Sequence, residues 1–373
     1  MRHQGHVHGP GDALSDCLRW RKIPHAVLCY PLDGKGPIRL IRVDTQGCRS
    51  EEIVGWSTDR PLPIRALWEV MWTVKVLRSF PKPIPLFIGI DPVHAWAGIW
   101  LKWQRAVRHA VFYTADYAEQ RFESRWLNGL YHAMDRWAAR WADRVWTVSS
   151  RIFERRRLQG ILPEKLRLIP NAPDLAQIPD RVGMVRDRFT VVTMATMQGA
   201  MDNRLLLQAV ARLRCEVPRI RVKILGVKAE ESDLAAWVDK LHLNDCVEFL
   251  GFLPQSAIWP HLFQSGVGAA LYTEHNPWTR FGDAKKVREY LACGLPVLMT
   301  PVPSVAEEVE RLGAGVVVPL DLNCVFDGLR RLILEETFYE QCAQAAYRLA
   351  CQWDLGKLLK EEFFGFGLPW QMS

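Results

Sequence analysis

The chain has 373 residues, 49% of them hydrophobic and 24% charged. It is too apolar to be disordered and too long for one ordinary core, so two domains of similar size are expected. The formal net charge of +7 is uneven, because residues 1–180 hold 27 Lys and Arg against 18 Asp and Glu, together with 11 of the 16 tryptophans. No run of 18 or more uncharged apolar residues occurs, so a membrane-spanning helix is not expected. The opening Met1, Arg2, His3, Gln4 lacks the basic-then-apolar order of a secretory signal, which predicts a cytosolic protein. Nine scattered cysteines with no C-x-x-C pair read as reduced thiols, and His3, His6 and His8 lie in a terminus with no further ligands, so no metal is expected.

In chain order, His8 to Asp12 (H-G-P-G-D) reads as a loop opening directly on a helix, with an expected leading strand short or missing. Strands are predicted at Ala26–Tyr30, Ile38–Val43, Pro85–Ile90, Ala110–Tyr113, Arg144–Thr147 and Lys165–Ile169. The helices among them fall at Pro63–Ser79, Val93–Gln104, Arg121–Ala142 and Arg151–Leu158. Pro170 and Pro173 close this half, and Pro179 to Arg188 reads as the linker. Beyond it, strands at Phe189–Met197, Arg221–Gly226, Val247–Leu250, Gly266–Tyr272, Pro296–Met299 and Gly315–Val318 alternate with helices at Leu205–Leu213, Glu231–Lys240, Gln255–Gln264, Lys285–Ala292 and Val305–Arg311. Strands this apolar, each followed by a helix, predict a doubly wound parallel sheet covered on both faces.

Several mechanisms are removed by absent motifs: there is no P-loop, no G-x-S-x-G, no H-E-x-x-H and no D-x-D. The most informative segment is Asn276 to Val309, NPWTRFGDAKKVREYLACGLPVLMTPVPSVAEEV. Lys285, Lys286 and Arg288 open a short helix, Glu289 sits in its first turns, and Gly294 ends it. A helix that starts at the carboxyl edge of a parallel sheet aims its free amides at the crevice, which suits a phosphate. Basic side chains beside it add charge-assisted bonds, and one carboxylate can accept both hydroxyls of a ribose. The blander reading is an amphipathic helix with a solvated charged face.

The layout G-D-A-K-K-V-R-E-Y-L-A-C-G-L-P-V-L resembles the nucleotide-sugar motif of family-4 (group 1) retaining glycosyltransferases, whose GT-B fold sets two Rossmann-like domains across a cleft. Val148-Ser149-Ser150, Ile169-Pro170-Asn171-Ala172, Val247 to Pro254 (VEFLGFLP) and Trp353-Asp354 resemble other pieces of that family in the same order. The resemblance implies an α/β GT-B chain with an acceptor-side domain over 1–178, a nucleotide-sugar domain over 179–355, and a segment 356–373 returning to the first. It implies transfer of a sugar from a nucleoside-diphosphate donor to a glycolipid or polysaccharide acceptor with retention of configuration. Glu289 would hold the ribose and Lys286 the diphosphate. The family's second glutamate corresponds to Phe281, and its Gly-Arg and Lys after the first strand of the second domain correspond to Ala195-Thr196 and Met201. Arg280, Lys285 and Arg288 would then supply the missing cations.

In the first domain, Gly9-Pro10-Gly11 resembles the glycine-rich loop facing the donor, with an ordinary turn as the alternative. Asp91, His94 and Asp116 follow predicted strands, where an acceptor site would lie, and read either as catalytic groups or as helix caps and buried hydrogen-bonding groups. On the helix from Arg121, the stripe Leu127, Leu130, Tyr131, Met134, Ala138 and Trp141 is expected in the core, with membrane contact as the alternative. Trp96, Trp100 and Trp103 with Lys102, Arg105 and Arg108 form one basic aromatic cluster, and Arg155-Arg156-Arg157 another. The expectation is peripheral attachment to the anionic inner face of a membrane, with no cofactor, metal or nucleic-acid partner. The alternatives are a nucleotide-sugar epimerase or hydrolase on the same fold, and an inactive family member that binds a partner in a polysaccharide assembly complex.

Overall fold

The computed structural model describes residues 9–31, 34–57, 59–180, 183–195, 200–231 and 233–371. The chain divides into two compact units, residues 1–177 with 355–373 and residues 178–354.

The first unit begins with α1 (Pro10–Trp20), followed by β1 (His25–Cys29), β2 (Gly36–Val43) and β3 (Arg49–Ser57). Next come α2 (Leu62–Leu77), β4 (Ile84–Gly89), α3 (Pro92–Trp103), β5 (Val107–Thr114), α4 (Arg125–Trp141), β6 (Arg144–Thr147), α5 (Ser150–Leu158) and β7 (Leu166–Leu168). The parallel sheet runs β4-β5-β6-β7. The first two predicted strands do not join it. β1 pairs antiparallel with β2, and β2 with β3, a strand not expected from the sequence, in a separate sheet ordered β1-β2-β3. The connections from Cys29 to Gly36 and from Val43 to Arg49 are too short for the crossover of about a dozen residues that parallel pairing requires. Asp44 closes the second turn by accepting from the amides of Gln46 (2.8 Å) and Cys48 (2.9 Å).

α4 departs from its expected face. It starts at Arg125, after Ser124 accepts from the Leu127 amide, and its buried residues are Asp135, Ala138 and Ala139. Leu130 and Trp141, assigned to the core from the spacing, are exposed. Three alanines, Ala138, Ala139 and Ala142, face the core instead, packed with Ile99, Phe112 and Val145. Small side chains bring this helix close to its neighbours. Leu127, Tyr131, Met134 and Trp137 are half-buried, and Trp126, Leu130 and Trp141 are left outside.

The second unit comprises β8 (Thr190–Met194), α6 (Asn203–Leu213), β9 (Arg221–Leu225), α7 (Leu234–Lys240), β10 (Val247–Gly251), α8 (Gln255–Gln264) and β11 (Val267–Ala270). It continues through α9 (Pro277–Phe281), α10 (Lys285–Ala292), β12 (Val297–Met299), α11 (Val305–Leu312), β13 (Gly315–Val317), α12 (Leu322–Leu334) and α13 (Glu336–Gln352). Its six strands are all parallel in the order β10-β9-β8-β11-β12-β13, the arrangement of a Rossmann sheet. Every residue of β8, β11 and β12 is buried, as strands covered on both faces must be. The reading placed β8 over Phe189–Met197; it ends at Met194, and Thr196 and Met197 lie outside the described residues. α9, α12 and α13 were not anticipated; the last two lie beyond Val318, where the predicted series stopped.

α14 (Leu355–Gly365) belongs to the first unit. Its Glu362 is buried and accepts from Trp146 Nε1 (2.7 Å) and Arg167 Nε (2.8 Å), on β6 and β7. The Leu355 amide donates to the Pro173 carbonyl (3.2 Å). Beside it Arg21 and Asp174 form a buried ion pair.

Candidate functional site

The order of the second sheet reverses between β8 and β11, and the crevice outside the carboxyl ends of such strands is where ligands bind in doubly wound folds. α10 is held against this point from two directions. The Met194 amide, at the end of β8, donates to Tyr290 Oη (3.0 Å). In β11, a Cβ at Gly268 would lie 2.5 Å from the Tyr290 ring, so only glycine lets the helix approach this closely. At its other end, Gly294 turns the chain with φ +64°, a conformation open to glycine.

That seating fixes the polar face of α10. Lys286 Nζ donates to the Met194 carbonyl (2.5 Å), which leaves two N–H donors on the ammonium. Burial pulls its pKa down to about 8, opposed only in part by the charge of Glu289. Glu289 is 3% exposed and accepts at Oε1 from Gln255 Nε2 (2.8 Å). Gln255, the first residue of α8, in turn accepts from Lys285 Nζ (3.3 Å), and Lys285 Nζ lies 3.5 Å from Glu289 Oε1. Two side chains, Gln255 on α8 and Lys285 on α10, thus orient the Glu289 carboxylate, and among the described residues its Oε2 carries no hydrogen bond. Sequence reasoning brought Lys285, Lys286 and Glu289 together; it missed Gln255, Tyr290 and the Met194 carbonyl. The position of Gln255 directly after the G-F-L-P turn at 251–254 was the available signal.

Arg288 belongs to a different set. Its Nε and Nη2 donate to Asp283 (2.9–3.1 Å), and Nη1 and Nη2 donate to Glu308 (2.8–3.1 Å). Glu308 also accepts from Trp353 Nε1 (2.5 Å), whose ring lies 5.9 Å from the Arg288 guanidinium. At 100° per residue, Arg288 lies about 200° around the helix from Lys286. The expectation that it grips the donor is corrected: with both carboxylates already on its guanidinium, it ties α10 to α11. Arg280, on α9, is exposed. Phe281 ends α9, and Met201 is buried and bridges to Tyr272. Thr196 lies outside the described residues.

In the first unit the structure brings Asp91 and His94 together after β4. Asp91 caps α3 by accepting at Oδ1 from the His94 amide (2.8 Å), while its Oδ2 accepts from His94 Nδ1 (2.5 Å). Burial works against charge on either group, but each holds the other ionised, so Asp91 titrates well below the usual carboxylate range and His94 above the usual imidazole range. His94 Nε2 is buried with no hydrogen-bond partner among the described residues. The imidazole lies 4.8 Å from the Tyr30 ring, and Tyr30 Oη donates to the Glu69 carbonyl (3.1 Å). Asp91 is thus a helix cap, and it also fixes the His94 ring with Nε2 as the nitrogen left without a partner among the described residues.

Asp116, in the loop after β5, is exposed. Gly9 caps α1, its carbonyl accepting from the Asp12 amide (3.1 Å) and its amide donating to Asp12 Oδ2 (3.2 Å). At Gly11 a Cβ would lie 2.7 Å from Ile90 Cδ1, so this glycine lets α1 close on the end of β4. Arg156 is corrected too. Read as part of a basic surface run, it is fully buried and paired with Asp135, with Nη2 donating to Thr114 (3.0 Å). Among the described residues no group of three or more His, Cys, Asp or Glu could hold a metal ion.

Residues 177–349 match the family described as glycosyl transferases group 1, and residues 12–172 match the glycosyl transferase 4-like domain. The chain is 26% identical over 206 residues to the gpi3 subunit of phosphatidylinositol N-acetylglucosaminyltransferase of Schizosaccharomyces pombe, across 53% of this chain and 44% of that protein. It is 24% identical over 169 residues to the putative colanic acid biosynthesis glycosyltransferase WcaL of Salmonella typhimurium, across 44% of this chain and 41% of that protein. These matches span less than half the length of either curated relative. The crystal structure of Anabaena HepE in complex with UDP-glucose shares the fold with a TM-score of 0.66, at 15% identity and over 98% of each chain.

Proposed function

Because this chain belongs to the group 1 glycosyltransferases and has their GT-B fold, we propose that it moves a sugar from a nucleoside-diphosphate sugar to a hydroxyl of a glycolipid or polysaccharide, with retention of the anomeric configuration. The observation that carries this reading is the arrangement at the end of β8: an ammonium with two spare donors at Lys286 and a buried carboxylate at Glu289 held by Gln255. Lys286, aided by Lys285, Arg280 and the first amides of α10, meets the charge that develops on the leaving diphosphate. Glu289 Oε2 accepts from the ribose hydroxyls. His94, anchored by Asp91 and with its pKa raised by that carboxylate, presents Nε2 to an oxygen of the reacting sugars. No metal or other cofactor is part of the proposal.

The acceptor class is supported by the names of the two relatives, which concern phosphatidylinositol and colanic acid. Peripheral attachment to the anionic cytoplasmic face of a membrane is supported by the basic, Trp-rich residues 1–180 and gives the enzyme access to a lipid-linked acceptor. A second reading, a binding subunit with little or no turnover, is favoured by Phe281 and Met201 where the family commonly has Glu and Lys. Incubation with UDP-, GDP- and ADP-sugars and a lipid-linked acceptor separates the two. Glycosylated lipid with the donor's anomeric configuration supports transfer with retention. An inverted product removes retention, and nucleotide binding without product or hydrolysis supports the binding subunit.

A further inference from the structure

The surface of α3 and α4 reverses the usual order of side chains. On α4, Trp126, Leu130, Trp137 and Trp141 fall within about 60° of one another around the axis, along about 22 Å of helix. Three of the four are exposed, Trp126 at 67%, Trp141 at 48% and Leu130 at 38%, while Trp137 is half-buried and Ala138 and Ala139 of the same helix lie in the core. α3 packs beside α4 and continues the face with Trp100 and Trp103, each half exposed. The Trp103 ring meets Trp137 at 5.5 Å and Trp141 at 5.7 Å, both edge-on. These contacts set the indoles as one connected group, and burying alanine inside while leaving indole outside is costly in water without an occupant for the face.

Charge indicates which occupant. Arg136 and Arg140 are exposed and lie about 40–80° to one side of the tryptophan stripe, opposite the core. Neither helix exposes a carboxylate: α3 contains none, and the single acid of α4, Asp135, is buried against Arg156. Indole rings with one apolar and one polar edge, flanked by arginine and free of acidic groups, are the chemistry that settles at the headgroup level of an anionic bilayer. We propose that the outer face of α3 and α4 is the membrane-docking surface of this chain, with Trp126, Trp141, Trp100 and Trp103 entering the interface and Arg136 and Arg140 lying on anionic headgroups. This rests on the peripheral attachment proposed above and assigns it to one surface.

The test uses the full chain with vesicles of phosphatidylcholine alone or mixed with phosphatidylglycerol, at low and high salt. Wild type should co-sediment with the anionic vesicles at low salt, with a blue shift of tryptophan emission, and much less with the neutral ones. Trp126→Ser/Trp141→Ser should lower partitioning about tenfold or more and remove most of the blue shift. Arg136→Glu/Arg140→Glu should lower it about fivefold for each lost positive charge and abolish the salt dependence. Circular dichroism and calorimetric titration with UDP, GDP and ADP accompany each variant. Lost vesicle binding with unchanged fold and nucleotide affinity supports the docking face. If wild type binds no nucleotide, the donor reading fails and the lipid measurements still decide the surface.

Two α2 residues give the contrasting arm, since Leu67 and Met71 are also exposed. If Leu67→Ser/Met71→Ser loses vesicle binding while both variant pairs above keep it, the proposal is overturned. It is equally overturned if the Trp126→Ser/Trp141→Ser pair turns a dimer into a monomer by sedimentation velocity and leaves vesicle partitioning unchanged, which would make the face a contact between copies. Wild-type binding at low salt that ignores lipid charge overturns it as well.

Discussion

Arg288 in the second unit and Arg156 in the first are each buried against carboxylate, yet the helices around the two use large side chains in opposite ways. In the second unit Arg288 bridges Asp283 and Glu308 while its helix, α10, turns Val287, Tyr290 and Leu291 into the core. In the first, Arg156 pairs with Asp135 on α4, a helix that buries alanines and exposes tryptophans. The difference teaches that apolar spacing locates a core only where the core is the sole apolar surface of the element. α10 has one such surface, and its polar face could be read from the sequence. α4 has two, and its spacing ran them together: of the expected stripe Ala138 is buried, Leu127, Tyr131 and Met134 are half-buried, and Leu130 and Trp141 are exposed.

The largest effect expected from breaking this comparison is on stability. Arg288→Ala and Arg156→Ala each strand buried carboxylates and should cost about 3–5 kcal/mol in denaturant unfolding. If Arg288→Ala were as stable as wild type and lost only nucleotide affinity, the donor-gripping role discarded above would have to be restored.

Next in size is the polar face of α10. Gln255→Ala leaves Glu289 Oε1 with Lys285 alone and should weaken nucleoside-diphosphate binding by about 0.5–1.5 kcal/mol, as for the loss of one orienting hydrogen bond. Unchanged affinity would remove Gln255 from the site.

Lys286 supplies a pH signature. Its pKa near 8 lies below that of an unfolded lysine, about 10.4. Across that window the unfolded chain binds more protons, so the stability cost of the buried ammonium is fully present below about pH 8 and is relieved as pH rises towards 10. Donor affinity should run the other way and fall as the ammonium discharges above about pH 8. Lys286→Met should bind more weakly at pH 7 and lose this step. A step that survived in Lys286→Met would belong to another group.

The smallest expected effect sharpens the contrast with α4. Trp126→Ser, at a position two-thirds exposed, should change stability by no more than about 0.5 kcal/mol. A loss of several kcal/mol would return that stripe to the core.

The legible parts of the sequence were those where one residue type answers to one physical demand. The buried strands of the second sheet and the helix ended by Gly294 were readable because period, length and a glycine stop agree. Lys286 and Glu289 were readable because a cation and a carboxylate three residues apart open a helix at a sheet edge. β3 was not, because its first four residues, Arg49, Ser50, Glu51 and Glu52, are solvated and none of them is apolar to start an alternation. Arg156 and Arg288 were misassigned because a sequence shows a charge but not the distant carboxylates, Asp135 and Glu308, that fold against it. Gln255 was missed because an amide at a helix start has no spacing of its own to mark it.

The central claim, that Glu289 and Lys286 hold a nucleoside diphosphate, is tested most directly by calorimetric titration of wild type and Glu289→Ala with UDP, GDP and ADP. The account predicts that wild type binds at least one of them and that Glu289→Ala, with an unchanged unfolding transition, binds it about 1.5–3 kcal/mol more weakly through the loss of charged hydrogen bonds to the ribose. Equal affinities for wild type and a well-folded Glu289→Ala would contradict it.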